Sequence, residues 1–280
     1  MKSWSRSWNG AWKRAALASA LVVGAIGSSA CEPAQGVGDI GIFERNGRCP
    51  VTSRAQGAFT LFVPTADADC TGPFPVVGWG NGSFTGVGSY TAFLTNVASH
   101  GFTVVAANTS NANGALGGGG QTVLDDALNL GRTLPNVGTQ ACTMGYSQGG
   151  AAAVRGAVLA NAFCTVGIAA EVNATGPANA TGLTRVILLG GGADTTAPVG
   201  NNSQRLFNQA GTPKALAVLT GVGHLEPLGS GGRYRGFAIA ALVLNLRTSD
   251  PDFAAASRLY NNDGIRGDAR VMTFTRTGTF

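Results

Sequence analysis

Short, nearly continuous apolar runs punctuate the chain at residues 58–64, 75–79, 102–107, 139–146, 164–169, 185–190 and 214–220, and each reads as a strand. Between several of them, apolar residues recur every three to four positions. Tyr90, Phe93, Leu94 and Val97 mark one helical face, and Val123, Leu124, Ala127, Leu128 and Leu130 mark another. Further helices are expected at residues 151–161, 202–210 and 233–246. Strands that are apolar on both faces and alternate with helices require a parallel sheet covered on both sides. The expected fold class is therefore α/β: a doubly wound, mostly parallel sheet with helices on both faces.

The pattern also sets boundaries. Residues 1–30 read as an export signal and 31–57 as an irregular, Gly-rich arm. Residues 58–264 hold the alternating core, and 265–280 form a polar, β-prone tail to which the pattern assigns no role. Residues 108–120 are rich in Asn, Ser and Gly, a composition typical of a loop that covers a site or stays mobile. No internal repeat is evident.

A chain of 280 residues, 44% of them hydrophobic, is ample for one α/β domain with a sizeable core. Its net charge of +5 says little about partners, because Lys2, Arg6, Lys13 and Arg14 all precede the first acidic residue, Glu32. Setting those four aside leaves 15 basic against 14 acidic residues. The remaining basic residues neither cluster nor interleave with aromatics, which excludes a nucleic-acid partner. The early charges instead form the basic flank of residues 15–26, an apolar stretch too short to span a bilayer. Ser28-Ser29-Ala30 then supply small residues for cleavage, so a secreted protein is expected. A bacterial lipoprotein signal is similar, although Ser28 replaces its usual aliphatic residue. Lipidation of Cys31 is thus the alternative, and the one route by which this chain would meet a membrane. It would also leave four of the five cysteines to pair. The pairs expected in an exported chain are Cys49–Cys70 and Cys142–Cys164, with buried thiols as the alternative.

The candidate chemistry centres on Gly145-Tyr146-Ser147-Gln148-Gly149, a Gly-x-Ser-x-Gly pattern between an expected strand and an expected helix. In a chain with 43 glycines the bare pattern arises by chance about 0.4 times, so its context carries the weight. A sharp strand-to-helix turn lifts a serine hydroxyl into reach and leaves the Gln148 N–H at a helix N-terminus, where an oxyanion can be held. A serine needs a base, and the chain has two histidines. His100 ends a helix, where capping and packing are expected. His224 follows the strand at 214–220, on the same sheet edge as Ser147. Between Ser147 and His224 the only acids are Glu171 and Asp194. Asp194, reached through Gly190-Gly191-Gly192-Ala193, is the expected partner and Glu171 the alternative. The second oxyanion donor is expected from Gly80-Asn81-Gly82, as the Asn81 N–H or its neighbour at Gly80. Trp79 and Phe84 flank that loop as candidate substrate contacts, a core role being equally open for Trp79.

Taken together, Gly-Tyr-Ser-Gln-Gly-Gly, Gly-Gly-Ala-Asp194-Thr-Thr-Ala-Pro and Gly-Val-Gly-His224, with Ala-Ser-His-Gly-Phe upstream, resemble secreted α/β-hydrolases related to dienelactone hydrolase. That group includes bacterial cutinases and polyester (PET) hydrolases. The resemblance spans roughly residues 58–246. It implies the α/β-hydrolase fold, a triad of Ser147, Asp194 and His224, an oxyanion hole at Asn81 and Gln148, and no metal or cofactor. Two departures bear on substrate. The family's oxyanion-loop aromatic is replaced by Gly-Asn-Gly with two extra residues, and its tryptophan after the next strand by Ala170-Glu171-Val172.

The expected function is thus a monomeric secreted serine esterase acting through an acyl-enzyme on short to medium acyl or polymeric esters. Only a short connection joins Asp194 to His224, with no apolar insertion that could form a lid. Lipase, thioesterase and peptidase chemistry use the same triad. A non-catalytic surface or adhesion protein on a hydrolase scaffold is the reading from another class.

Overall fold

Nine strands form one sheet in the computed structural model, which describes residues 38–109, 120–172 and 179–280. The expected export signal, Cys31 and most of the Asn/Ser/Gly-rich loop lie outside the described residues. In chain order the elements are α1 (Ile40–Glu44), β1 (Val51–Gln56), β2 (Phe59–Pro64), β3 (Phe74–Gly80), α2 (Thr91–Ser99) and β4 (Thr103–Ala107). There follow α3 (Gly120–Arg132), β5 (Val137–Tyr146), α4 (Gln148–Leu159), β6 (Cys164–Ile168) and β7 (Val186–Gly191). The chain closes with α5 (Ser203–Gln209), β8 (Lys214–Leu219), α6 (Tyr234–Leu246), α7 (Phe253–Tyr260) and β9 (Val271–Thr277). Strand order is β1-β2-β4-β3-β5-β6-β7-β8-β9. The six central strands from β4 to β8 run parallel, while β1, β2 and β9 pair antiparallel at the two edges.

The central strands are buried on both faces apart from the first four residues of β5 and the first of β8, which is why their sequences are apolar without alternation. In β7, Ile187 and Leu189 enter one core cluster, whereas Val186 and Leu188 enter another. The first cluster also takes Phe93, Leu94 and Val97 of α2 and the apolar residues of α6. On the other face lie Leu124, Ala127 and Leu128 of α3, Ala151 and Val154 of α4, and Leu206 of α5. Helix α6 is buried at every position, because α1 and α7 pack on it in turn. That third layer explains a helix that is apolar all round.

The arm expected to be irregular carries both α1 and β1. β1 has no buried residue and is ordered through its ladder to β2, from Val51↔Pro64 to Gln56↔Phe59. A strand held by backbone bonds at a sheet edge leaves no apolar period to read. The tail also has a place: β9 pairs with β8 and buries Phe274. Helix α7 escapes the periodicity because it is only eight residues long and four of them, in FAAASRLY, are small.

Both expected disulfides are present, Cys49–Cys70 and Cys142–Cys164, with Cα atoms 5.0 and 4.7 Å apart. Such bonds suit an oxidising compartment. Among the described residues no helix is long and apolar enough to cross a membrane. Cys142 and Cys164 face each other in the parallel ladder of β5 and β6, so the bond staples the strand that leads to Ser147. It closes a segment with a sequence separation of 22, for which chain entropy gives about 3 kcal/mol of stabilisation. Replacing both cysteines with alanine is expected to lower the unfolding free energy by about 2–4 kcal/mol, read from urea denaturation of the oxidised protein.

Candidate active site

β5 ends at Tyr146 and α4 begins at Gln148, so Ser147 alone makes the turn between them. Its backbone stands at φ 56°, ψ −123°, a conformation that costs a non-glycine residue roughly 1–3 kcal/mol. Three hydrogen bonds offset that cost. The Ser147 N–H donates to the Ile168 carbonyl at 3.0 Å, and the Ser147 carbonyl accepts from Glu171 N–H at 2.9 Å and Ala151 N–H at 3.1 Å. At about 1 kcal/mol each they match the strain. The flanking glycines are steric necessities. A Cβ on Gly145 would overlap the Gly149 carbonyl, and one on Gly149 would overlap the carbonyl of Gly80.

The three expected partners converge on this turn. Asp194 follows β7 and His224 follows β8, so all three leave the carboxyl edge of the parallel strands. Ser147 Oγ lies 2.9 Å from His224 Nε2, and His224 Nδ1 lies 2.7 Å from Asp194 Oδ2. The other carboxylate oxygen of Asp194 accepts the N–H groups of Thr196 at 2.9 Å and Ala197 at 2.7 Å. Both oxygens are therefore committed, and the carboxylate cannot turn away from the imidazole. A carboxylate on Nδ1 makes that nitrogen the donor and leaves Nε2 as acceptor for the serine hydroxyl.

A cavity of about 400 Å³ opens over Ser147. Phe84, Tyr146, Leu225 and Leu228 supply its apolar lining, and Gln148, Glu171 and Thr196 its polar part. Phe84 and Leu225 are 83% and 70% exposed, a high value for large apolar side chains. A second cavity, about 550 Å³, lies beside Pro73 and Pro75 at the start of β3. Four of its charged residues pair with one another: Arg48 reaches Asp252 at 2.8 Å, and Arg247 reaches Asp250 at 2.9 Å.

Two of the side chains expected near the site lie in the core. Trp79 is fully buried, edge-on to Tyr90 and Phe93, with its indole N–H donated to Asn81 Oδ1 at 2.8 Å. It is a core residue rather than a substrate contact, because β3 is buried along its whole length. The Asn81 side chain is fully buried too, and its amide donates to the carbonyls of Ala107 and Thr109; these bonds do not involve the backbone N–H expected at the oxyanion. The residues of that loop that line the cavity are Ser83, Phe84 and Thr85. Glu171 lines the cavity, but the imidazole is bonded to Asp194. Gln148 and Phe84 stand at the cavity as expected. Among the described residues no cluster of His, Cys, Asp and Glu could hold a metal ion.

Sequence reasoning overlooked two tyrosines. Tyr90 OH accepts the Gly82 N–H at 3.2 Å and shares a hydrogen bond with Thr85 Oγ1 at 2.7 Å, which pins the loop beside Ser147. Tyr146 OH donates to the His224 carbonyl at 2.7 Å. Burial raises the pKa of both phenols, which therefore stay neutral. An aromatic residue inside Gly-x-Ser-x-Gly was the available signal for Tyr146. A scan of the chain against protein-family models finds no match, and a search of curated proteins finds none either.

His100 caps α2 through its backbone N–H and packs as expected, its buried ring placing Nε2 3.0 Å from the Arg45 carbonyl. Burial holds its pKa below the ordinary 6.5, against the smaller opposing effects of that carbonyl, Asp252 and Asp250. The unfolded chain thus binds a proton at His100 in a window below 6.5 where the folded chain does not. Stability contributed by the neutral ring above that window is lost as pH falls through it. Thermal melts between about pH 8 and pH 5.5 are expected to decline less steeply for His100→Gln than for the wild type.

Proposed function

We propose that the protein is a secreted serine hydrolase of carboxylic esters, built on an α/β-hydrolase fold and acting through an acyl-enzyme. The observation that carries this reading is the continuous relay from Ser147 Oγ through His224 to Asp194, at 2.9 and 2.7 Å. Chain order supports it as well, since nucleophile, acid and base follow one another as in that fold.

In the proposed reaction, Ser147 Oγ attacks the ester carbonyl carbon while His224 Nε2 takes its proton. Asp194 holds the imidazole and stabilises the imidazolium. The Gln148 N–H, at the N-terminus of α4, is one donor to the oxyanion. The second is assigned to the Gly80–Thr85 loop. Asn81 was the expected residue, but the cavity-lining positions favour the peptides of Ser83 and Phe84. Collapse of the tetrahedral intermediate expels the alkoxide, which takes the proton from His224. Water then attacks the acyl-enzyme carbonyl and gives its proton to the same nitrogen. The second tetrahedral intermediate collapses, the bond from Ser147 Oγ to the acyl carbon breaks, the carboxylic acid leaves, and Ser147 Oγ takes the proton back from His224.

The lining favours uncharged, apolar esters. Phe84, Leu225 and Leu228 offer apolar surface to the substrate. In a groove with exposed walls, each methylene of the acyl chain adds about 1 kcal/mol or less. Selectivity among chain lengths is accordingly shallow, and polymeric aliphatic esters can reach the serine.

Ser147→Ala is expected to abolish both p-nitrophenyl ester hydrolysis and labelling by a fluorophosphonate probe. Asp194→Asn should lower kcat by about 10⁴ through the wrong histidine tautomer, while Glu171→Gln retains near wild-type kcat. Rates over acyl chains are expected to peak at roughly C2 to C8. Absence of probe labelling in the folded wild type would instead support a non-catalytic scaffold.

A further inference from the structure

The segment between β8 and α6, residues 220–233, contains Gly221, Gly223, Gly229, Gly231 and Gly232. Four of these have positive φ, from 50° at Gly232 to 87° at Gly231. Glycine at that density makes a segment conformationally permissive. Yet it carries His224, whose Nε2 must stay within hydrogen-bond reach of Ser147. Asp194 holds the ring but does not fix the main chain from which the ring projects.

We propose that Tyr146 and Arg233 are positioning residues that fix the main chain of His224, and the proposal rests on the reading of His224 as the base. Tyr146 supplies the direct brace. Its hydroxyl donates to the His224 carbonyl at 2.7 Å, and its ring centroid lies 5.2 Å from that of the imidazole. Tyr146 is the last residue of β5, one position before Ser147, so the bond ties the base to the strand that presents the nucleophile.

Arg233 closes the segment on itself. Its Nη1 donates to the Thr220 carbonyl at 2.9 Å and its Nη2 to the Gly221 carbonyl at 3.3 Å, both before His224. Its Nε donates to Glu226 Oε1 at 2.9 Å, after His224. A half-exposed ion pair is weak by itself. A rigid fork that reaches three acceptors on both sides of one residue constrains geometry in a way a flexible ammonium does not.

The test compares Tyr146→Phe, Arg233→Gln and the double variant with the wild type, by ester kinetics and by proton NMR of the His224 Nδ1–H. Because a base displaced by about 1 Å can cost up to 100-fold, each single variant is expected to lower kcat about 10-fold. KM should stay within about twofold, since no substrate contact is removed. Exchange of the Nδ1–H with water should quicken in both, and Arg233→Lys should restore less than half of the lost kcat. Active-site titration corrects kcat for any unfolded fraction. Unchanged kcat and unchanged proton exchange in Tyr146→Phe overturn the proposal, as does a loss confined to KM. The NMR readout applies even if the wild type hydrolyses no ester, so failure of the brace and failure of the esterase reading are told apart.

Discussion

The site depends on one close approach of backbone to backbone. Gly149, in the first turn of α4, sits against the Gly80 and Asn81 carbonyls at the end of β3, and Gly145 of β5 sits against Gly149. Only without Cβ atoms can α4 start so close to the sheet. That proximity places the Gln148 N–H and Ser147 beside the loop that follows β3. A methyl group at either glycine would push the helix outward, and the serine would move with it. The constraint is steric and local, and it sets where every other group of the site must come.

Three loops answer it, each held by a different kind of interaction. The loop after β3 is pinned from beneath, by Trp79 on Asn81 and by Tyr90 on Gly82 and Thr85. The loop after β7 is fixed by Asp194, whose carboxylate gathers its own following N–H groups before it meets His224. The loop after β8 is the most glycine-rich; Tyr146 and Arg233 hold it around His224, and backbone bonds tie it at Thr220 to Arg270, at Val222 to Ala193 and at Gly229 to Ser89 and Phe93. Buried phenols suit this work. They donate or accept without titrating near neutral pH, because burial raises their pKa.

Legibility in the sequence followed burial. The central strands and α2 to α6 were readable because their apolar residues face a core on one or both sides. Ser147 was readable from the glycines on either side of it between a strand and a helix, and Asp194 and His224 because each follows an apolar strand through a glycine-containing turn. Edge strands left no such trace: β1 exposes its side chains, and β9 buries only Phe274. Trp79 misled for a related reason. Its place beside the loop suggested contact with substrate, but sequence does not say which face of a fully buried strand a side chain takes. Tyr90 and Tyr146 were read as an apolar position and as the variable residue of a motif, and only their hydroxyl partners reveal what they hold.

The strain at Ser147 draws the sheet itself into the site. Besides their ladder from Cys142↔Cys164 to Tyr146↔Ile168, β5 and β6 are joined by the Cys142–Cys164 bond at one end and by the Ser147 N–H on the Ile168 carbonyl at the other. The covalent bond lies toward the amino end of the pair and the strained turn at its carboxyl end. If β6 drifted from β5, the Ile168 carbonyl would leave Ser147, and a turn that costs roughly 1–3 kcal/mol would lose one of the bonds that offset it. A staple five residues upstream therefore acts on geometry as well as on stability, because it limits how far the acceptor for the elbow can move.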